Sequence, residues 1–210
     1  MTPVSAPDHL AQVHAGTPGV YRRQAAVWNA GRMGDLYEQK WLDRIVDGLE
    51  PGAPVLDLGC GGGDPIAIYL LQRGFSVTGL DASPEMLAIA RDRLPDLHTV
   101  LGDMREAELP SGQGAIIGWD SFFHLSASEQ VALIPRLAAA LRPGGRLLLT
   151  VGPAASEGIG SVGGEAVYHA SLAQNEYAAR FGAARCDVIA FEPEDPNCRG
   201  RSVLLSQRRA

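Results

Sequence analysis

The sequence contains few cysteines and no long hydrophobic run. Cys60, Cys186 and Cys198 are odd in number and lack both metal-ligand and CxxC spacing. We therefore expect free thiols, no disulfide framework and no metal site. No stretch approaches the roughly eighteen consecutive apolar residues of a membrane span, and the first residues lack the basic and apolar segments of a secretory signal. These absences predict a cytoplasmic protein without membrane partners.

The chain also lacks clusters of positive charge. Its 210 residues include 24 acidic and 18 basic side chains, which gives a formal net charge of −6. Affinity for nucleic acid requires grouped Lys and Arg that neutralise phosphates, and the closing Gln207-Arg208-Arg209 is too short to supply them. We therefore expect no nucleic-acid partner. The hydrophobic fraction of 46% and the length fit one folded domain over residues 1–210.

Strand-like and helix-like patterns alternate along most of the chain. Strands are predicted at 54–58, 75–80, 97–101, 115–119, 146–151, 186–191 and 202–206, and helices at 36–49, 64–72, 83–93, 126–141 and 172–181. Ser83-Pro84 and the Ser126/Glu129 capping box begin two of the helices, and Ser171 with Gln174 is expected to cap the last. The Gly- and Ala-rich stretch 152–164 is predicted to be a mobile loop.

This alternation indicates a mainly parallel sheet covered on both faces. Such sheets bind ligands beyond the carboxyl ends of their strands. The last two strands have no helix between them, so they should pair antiparallel.

A glycine cluster, Gly59-Cys60-Gly61-Gly62-Gly63, separates the first strand from the first helix of this pattern. Its backbone N–H groups can approach a bound ligand closely. A dinucleotide-binding turn would read G-x-G-x-x-G, but the third residue after Gly61 is Asp64, an acid where a pyrophosphate should lie. A nicotinamide-dependent oxidoreductase is therefore the weaker alternative.

Acidic residues follow the successive strands. Asp81 ends the second strand about twenty residues beyond the glycines, where a carboxylate can accept hydrogen bonds from ribose hydroxyls. Asp103-Met104 follows the third strand and can contact an adenine through the carboxylate and the Met104 N–H. Each of Asp57, Asp81 and Asp103 alone fits a turn or cap. Their placement at successive strand ends instead predicts one nucleoside-binding crevice.

The segments VLDLGCGGGDP, VTGLDASPEML, LGDM and LRPGGRLLLTV together resemble the successive motifs of class I S-adenosylmethionine-dependent methyltransferases, over roughly residues 55–151. The resemblance implies a Rossmann-like, doubly wound α/β fold with a seven-stranded sheet and an antiparallel C-terminal strand. It implies S-adenosylmethionine as cofactor and S-adenosylhomocysteine as product. By the same resemblance, Asp57, Gly59 and Gly61 form the methionine-end turn, Asp81 with the adjoining Ala82 holds the ribose, and Asp103 with Met104 contacts the adenine.

The end of the fourth strand, residues 118–125, faces the sulfonium in this fold. Aromatic side chains suit a cation, so Trp119 is a candidate wall of the cofactor site, whereas at least one of Phe122 and Phe123 should belong to the core. His124 can take a proton from a hydroxyl or ammonium acceptor, or it can cap a helix or orient a ligand. Asp120 can orient an amine or serve as a turn residue. His124 and Asp120 are the candidate catalytic residues.

Two further regions lie outside these motifs. Residues 1–34 are expected to form an N-terminal helical cap, in which Tyr21 or Arg22 meets the methionine carboxylate; alternatively, Trp28 packs a solvated helix on the domain. Tyr168 and His169 follow the Gly-rich stretch, a usual place for acceptor residues in the resembled family, although capping explains His169 equally well.

The sequence therefore favours a methyltransferase acting on a small-molecule N or O acceptor, as a monomer or homodimer. Residues 120–125 resemble the Asn-Ser-Phe-x-His-Leu stretch of small-molecule methyltransferases, with Asp120 in place of the Asn, and no Asn-Pro-Pro-Tyr follows the fourth strand. The alternative is a protein that binds S-adenosylmethionine without catalysis, because no residue is an unambiguous base.

Overall fold

A seven-stranded sheet with helices on both faces forms the centre of the computed structural model, which describes residues 6–210. The helices are α1 (Ala6–Arg23), α2 (Ala25–Arg32), α3 (Gln39–Val46), α4 (Ile66–Gln72), α5 (Pro84–Arg93), α6 (Ala127–Ala140) and α7 (Gln174–Ala183). The strands are β1 (Pro54–Leu58), β2 (Ser76–Asp81), β3 (His98–Leu101), β4 (Gln113–Gly118), β5 (Leu141–Val151), β6 (Ser156–Val162), β7 (Glu165–Ser171), β8 (Cys186–Asp195) and β9 (Arg201–Arg208).

The strand order of the large sheet is β3-β2-β1-β4-β5-β9-β8. The first five strands are parallel, with Val55 opposite Val77 on one side and Ala115 on the other. Strand β9 is antiparallel to both β5 and β8. The predicted Rossmann-like sheet with an antiparallel C-terminal strand is therefore confirmed. Its order reverses between β1 and β4, and the carboxyl ends of these strands open a crevice for a ligand.

The central strands supply side chains to two hydrophobic cores, one on each face of the sheet. In β1, Val55 joins the core beneath α3 and α4, whereas Leu56 and Leu58 join the core beneath α6 and α7. This alternation follows from the two-residue period of a strand. Each fully buried Leu or Val contributes about 1.5–3 kcal/mol. The two cores fix the ends of β1, β2 and β4 relative to one another. None of the helices described is long and apolar enough to cross a membrane.

The helix starts follow the sequence signals in two of three cases. The Ser83 hydroxyl accepts from the Met86 N–H, and Ser126 and Glu129 form the reciprocal capping box that begins α6. The expected cap at Ser171 is wrong, because α7 begins two residues later with Ala173 as its N-cap. The Ser171 hydroxyl instead accepts from the Gly152 N–H at 3.0 Å. It thereby ties the end of β7 to the end of β5.

The prediction of a mobile loop over 152–164 is also wrong. Residues 156–162 form β6, which pairs antiparallel with β7 in a separate two-stranded sheet. Gly163 and Gly164 form the turn, both at positive φ, as a two-residue hairpin connection requires. The Gly-Gly pair next to an alternating strand was the available signal, but the high Gly and Ala content obscured it.

Helix α1 packs on this hairpin. Val20 of α1 packs with Val162 and Val167 of the hairpin in one hydrophobic cluster. The Thr17 hydroxyl accepts from the Tyr168 N–H at 2.9 Å. Helices α1 and α2 thus cover the described part of the predicted 1–34 segment. That the segment acts as a cap over a ligand stays a prediction.

A buried polar network ties the hairpin to α6 and α7. Gln130 is fully buried, and its amide donates to the carbonyls of Leu125 and Ala170, both at 2.9 Å. Its oxygen accepts from the Tyr177 hydroxyl at 2.6 Å. The network fixes the segment after β4 relative to β7.

Replacing Gln130 by leucine is expected to lower the free energy of unfolding by about 2 kcal/mol, because the carbonyls of Leu125 and Ala170 and the Tyr177 hydroxyl would each lose one hydrogen bond. Chemical denaturation measures the change. Gln174→Leu, at the exposed first residue of α7, is the control and should change stability by less than about 0.5 kcal/mol. Equal effects of both substitutions would contradict this role of Gln130.

Candidate functional site

A cleft at the carboxyl ends of β1 to β4 brings together the predicted cofactor-binding residues and the two candidate catalytic residues, but not Arg22, Tyr168 or His169. Its walls include Tyr21, Asp57, Gly59, Gly61, Asp81, Ala82, Asp103, Met104, Trp119, Asp120 and His124. These residues come from the strand ends and from α1, which lies across the opening. The sequence therefore identified residues that the fold collects in one place, although their individual roles stay predictions.

The floor of the cleft is the glycine turn that follows β1. Gly59 has a φ of +71°, and a Cβ there would overlap the Cβ of Ser121. The Gly59 N–H donates to the Leu80 carbonyl at 2.7 Å, and the Ser121 hydroxyl donates to the Leu58 carbonyl at 2.6 Å. Only glycine combines this backbone conformation with such a close approach.

Asp81 is held by backbone groups at the end of β2. One carboxylate oxygen accepts from the Gly61 N–H and the other from the Ser83 N–H, both at 2.8 Å. Burial raises the pKa of Asp81, and these hydrogen bonds oppose the rise. Each oxygen keeps a further lone pair for a ligand hydroxyl. The carboxylate therefore links the glycine turn to the wall of the cleft.

Asp57 lies at the back of the cleft and is 3% exposed. Burial, with smaller contributions from the charges of Asp81 and Glu38, raises the pKa of its carboxyl to about 7, and the charge of Arg32 opposes this rise. A cationic group of a ligand placed beside Asp57 would therefore lower this pKa and favour the ionised carboxylate.

Asp103 is engaged in an ion pair at the other end of the cleft. Arg105 donates to it from Nε at 2.9 Å and from Nη2 at 2.5 Å, and also reaches Glu129 at 2.9 Å. The hydrogen bonds from Arg105 hold the pKa of Asp103 below its usual range despite partial burial. His14 of α1 pairs with Glu129 at 2.9 Å. The sequence did not indicate that this carboxylate would have a partner.

Asp120 is also paired. It has a φ of +52°, and its carboxylate accepts from Arg201 Nε at 3.1 Å and Nη2 at 3.0 Å, as well as from the Tyr37 hydroxyl at 3.3 Å. The Asp120 N–H donates to the Thr150 hydroxyl at 2.8 Å. These contacts fix Asp120 where β4 ends.

Tyr21 and His124 form a hydrogen-bonded pair above the cleft. His124 Nδ1 lies 2.7 Å from the Tyr168 carbonyl, and Nε2 lies 2.7 Å from the Tyr21 hydroxyl. A carbonyl can only accept, so Nδ1 carries the proton and Nε2 accepts from Tyr21. Burial lowers the pKa of His124 to about 4, in spite of the Tyr168 hydrogen bond. The imidazole is thus neutral at physiological pH, with both nitrogens occupied.

Comparison with known proteins agrees with this arrangement. Residues 55–145 match the family model described as a methyltransferase domain. The chain carries a methyltransferase domain. With the fold described above, this match confirms the resemblance to class I S-adenosylmethionine-dependent methyltransferases.

Individual relatives match part of the chain. It is 40% identical over 98 residues to a trans-aconitate 2-methyltransferase of Rhizobium meliloti, over 46% of this chain and 37% of that one. It is 35% identical over 138 residues to a protein of the same name from Paracidovorax citrulli, over 65% and 50% of the two chains. The chain thus spans half or less of the length of these relatives.

One solved structure matches along the whole chain. It is a 1,6-didemethyltoxoflavin-N1-methyltransferase of Burkholderia thailandensis with bound 1,6-didemethyltoxoflavin and S-adenosylhomocysteine, at a TM-score of 0.69 and 19% identity. The match covers 100% of this chain and 93% of that one. At this identity it supports the fold of the methyltransferase domain.

Several residues of the cleft were missed by sequence reasoning. Asn29 and Arg32 of α2 line it, whereas Arg22 lies outside it and donates to the Ala82 carbonyl at 3.3 Å. Arg32 is paired with the buried Glu38. Of the two phenylalanines, Phe122 is fully buried in the core, as expected for at least one of them. No local motif marks Asn29 or Arg32, because their position depends on how α2 packs on the domain.

Replacing Asp57 by asparagine is expected to stabilise the ligand-free methyltransferase domain at about pH 8 and much less at about pH 5. The folded pKa is raised, so the stability that this carboxyl contributes is present below its unfolded value of about 3.9 and is lost as pH rises through the folded value. Asparagine does not titrate, so the difference in the free energy of unfolding between the variant and the unchanged protein grows as the pH rises from about 5 to about 8. Urea denaturation at both pH values measures it, and a pH-independent difference would contradict the raised pKa.

Proposed function

We propose that this protein is an S-adenosylmethionine-dependent methyltransferase that acts on a small-molecule N or O acceptor. The observation that carries the proposal is the convergence of Asp57, Asp81 and Asp103 around a glycine turn in one cleft. The domain match and the fold support the cofactor. The named acceptors of the relatives and of the solved structure are small molecules, which supports that part of the proposal.

The chemistry of the cleft fits S-adenosylmethionine better than a dinucleotide. Its carboxylates suit an ammonium group and ribose hydroxyls, whereas a pyrophosphate beside Asp57, Asp64 and Asp81 would be repelled. We assign Asp57, Gly59 and Gly61 to the methionine end, Asp81 and Ala82 to the ribose, and Asp103 and Met104 to the adenine. Arg32 and Tyr21 lie on the wall where the methionine carboxylate would be bound, and Trp119 provides an aromatic wall.

When bound, S-adenosylmethionine supplies an electrophilic methyl group on a sulfonium. The protein must then hold the acceptor in line with that methyl group and exclude water. We assign this task to Tyr21, which lines the cleft. His124 accepts from its hydroxyl and so fixes the ring, while Asp120, held by Arg201, borders the same region. These contacts support a positioning role for His124, through Tyr21, rather than proton abstraction from the acceptor.

A screen for methyl transfer tests the proposal. Purified protein is incubated with S-adenosylmethionine and a panel of hydroxyl-, amine- and carboxylate-bearing metabolites, and S-adenosylhomocysteine is quantified. Production above the rate without acceptor is expected. Binding of S-adenosylhomocysteine without transfer to any acceptor would instead favour the non-catalytic alternative.

Replacing His124 by alanine is expected to lower kcat about tenfold while the affinity for S-adenosylhomocysteine changes less than about twofold. Tyr21→Phe breaks the same hydrogen bond and should lower kcat similarly. The double variant should then be little slower than either single variant, because the two residues act as one unit. Fully additive losses, or equal losses of affinity and turnover, would show that His124 does not act through Tyr21.

A further inference from the structure

A second cavity opens beside the cofactor cleft. Tyr21, Trp28 and Asp120 line both spaces, so they mark the place where the two meet. The rest of its lining comes from Phe123, the end of β5 and the two residues after it, the β6–β7 hairpin, and the end of β8 with the turn that leads into β9 and the start of β9. The lining residues that fall between positions 151 and 202 lie outside the segment, 55–145, that matches the family model. This cavity therefore belongs to the part of the chain that can differ from the relatives.

Aromatic rings surround the junction of the two spaces. Tyr21 and Trp28 have ring centroids 5.5 Å apart in an edge-to-face arrangement, and Phe123 and His169 lie 4.7 Å apart in the same way. These rings give the lining of the cavity aromatic surface on which a planar aromatic molecule can pack. Val151 and Val162 add apolar surface.

The cationic groups that line the second cavity are already paired. Arg201 is bound to Asp120 at 3.0 Å, and Arg199 is bound to Asp35. Glu194 adds a further acidic group to the lining. An anionic acceptor would therefore find no unpaired cation among the residues that line the cavity, which favours an uncharged acceptor over a carboxylate.

The imidazole of His169 lines this cavity and packs against the rings of Phe123 and His124. Both nitrogens of His124 are occupied, whereas no hydrogen bond reaches the His169 ring from the side chains and backbone described. Its ring lies over Gly160, where a Cβ would overlap the imidazole. Burial lowers the pKa of His169, so its ring is neutral at physiological pH and can accept a proton.

We infer that the second cavity binds a planar aromatic acceptor bearing a hydroxyl or amino group, and that His169 accepts the proton of that group. The inference rests on the proposed function. A lone pair on the acceptor oxygen or nitrogen forms the bond to the methyl carbon, and the carbon–sulfur bond breaks with its electron pair going to sulfur, which leaves a neutral thioether. The acceptor proton passes to an imidazole nitrogen of His169 and then to water.

Catechol, aniline and benzoate serve as probes of the three acceptor types. With each probe at millimolar concentration, we expect S-adenosylhomocysteine to form from catechol or aniline and not from benzoate. His169→Ala should slow this reaction about 100-fold, with the affinity for S-adenosylhomocysteine unchanged. Added imidazole should restore part of the rate, which a purely structural histidine would not allow. His98→Ala, at an exposed position on β3, is the control.

A glycine pair in β6 gives a second, independent test. Gly160→Ala should displace the His169 ring and slow the reaction, whereas Gly158→Ala places its Cβ in open space and should have no effect. Methylation of benzoate alone, of none of the probes, or of catechol at an unchanged rate in His169→Ala would overturn the inference. Binding of S-adenosylhomocysteine to the unchanged protein is measured separately. Absence of that binding would contradict the proposed function itself, and so the two failures can be distinguished.

Discussion

Replacing Gly59 by alanine is expected to weaken S-adenosylhomocysteine binding about 100-fold, roughly 2.7 kcal/mol. The residue has a φ of +71°, which disfavours any side chain, and the new Cβ would overlap Ser121. Relief of the overlap requires movement of the turn between β1 and α4 or of the segment that follows β4. Both border the cofactor cleft, so the geometry of the site is lost with either movement.

Gly52→Ala is the matched control for this substitution. Gly52 has a φ of +80°, and a Cβ there meets nothing within 4 Å. It should lower the free energy of unfolding by about 1 kcal/mol without changing the affinity. Calorimetric titration of both folded variants distinguishes backbone strain from damage to the site. Equal affinities of the two variants would contradict the close approach at Gly59.

Replacing Asp81 by alanine is expected to weaken S-adenosylhomocysteine binding by about 3 kcal/mol, roughly 150-fold. The substitution removes the charged acceptor proposed for the ribose hydroxyls. It also leaves the N–H groups of Gly61 and Ser83 without their carboxylate partner, which loosens the glycine turn. The effect on binding should therefore exceed that of losing one ligand contact.

Asp43→Ala serves as the control for Asp81. Asp43 is a residue of α3 that accepts from Arg73 at 2.9 Å and does not line the cleft, so its loss should leave the affinity unchanged. Asp81→Asn keeps one acceptor oxygen and should be intermediate. A folded Asp81→Ala variant that binds as tightly as the unchanged protein would remove Asp81 from the site.

The cofactor side of the cleft could be predicted because its signals are local in sequence. Gly59, Asp81 and Asp103 each lie at the end of a strand or within two residues of it, and the parallel order of the strands brings these ends together. The caps at Ser83 and Ser126 were predictable for the same reason, since each depends on three or four consecutive residues.

The acceptor side was predicted less well because it depends on contacts between distant residues. Arg201 meets Asp120 across 81 positions, and Tyr21 meets His124 across 103. No short pattern encodes such pairs. The hairpin over 156–171 was missed because its glycines suggested a loop. The expected site therefore lacked the strand that positions Tyr168 and His169.

The central claim is that the cleft binds S-adenosylmethionine and its product. Isothermal titration of the purified protein with S-adenosylhomocysteine, beside a titration with reduced nicotinamide dinucleotide, tests it most directly. We predict micromolar binding of S-adenosylhomocysteine and no binding of the dinucleotide. Binding of the dinucleotide alone, or of neither compound, would contradict the account.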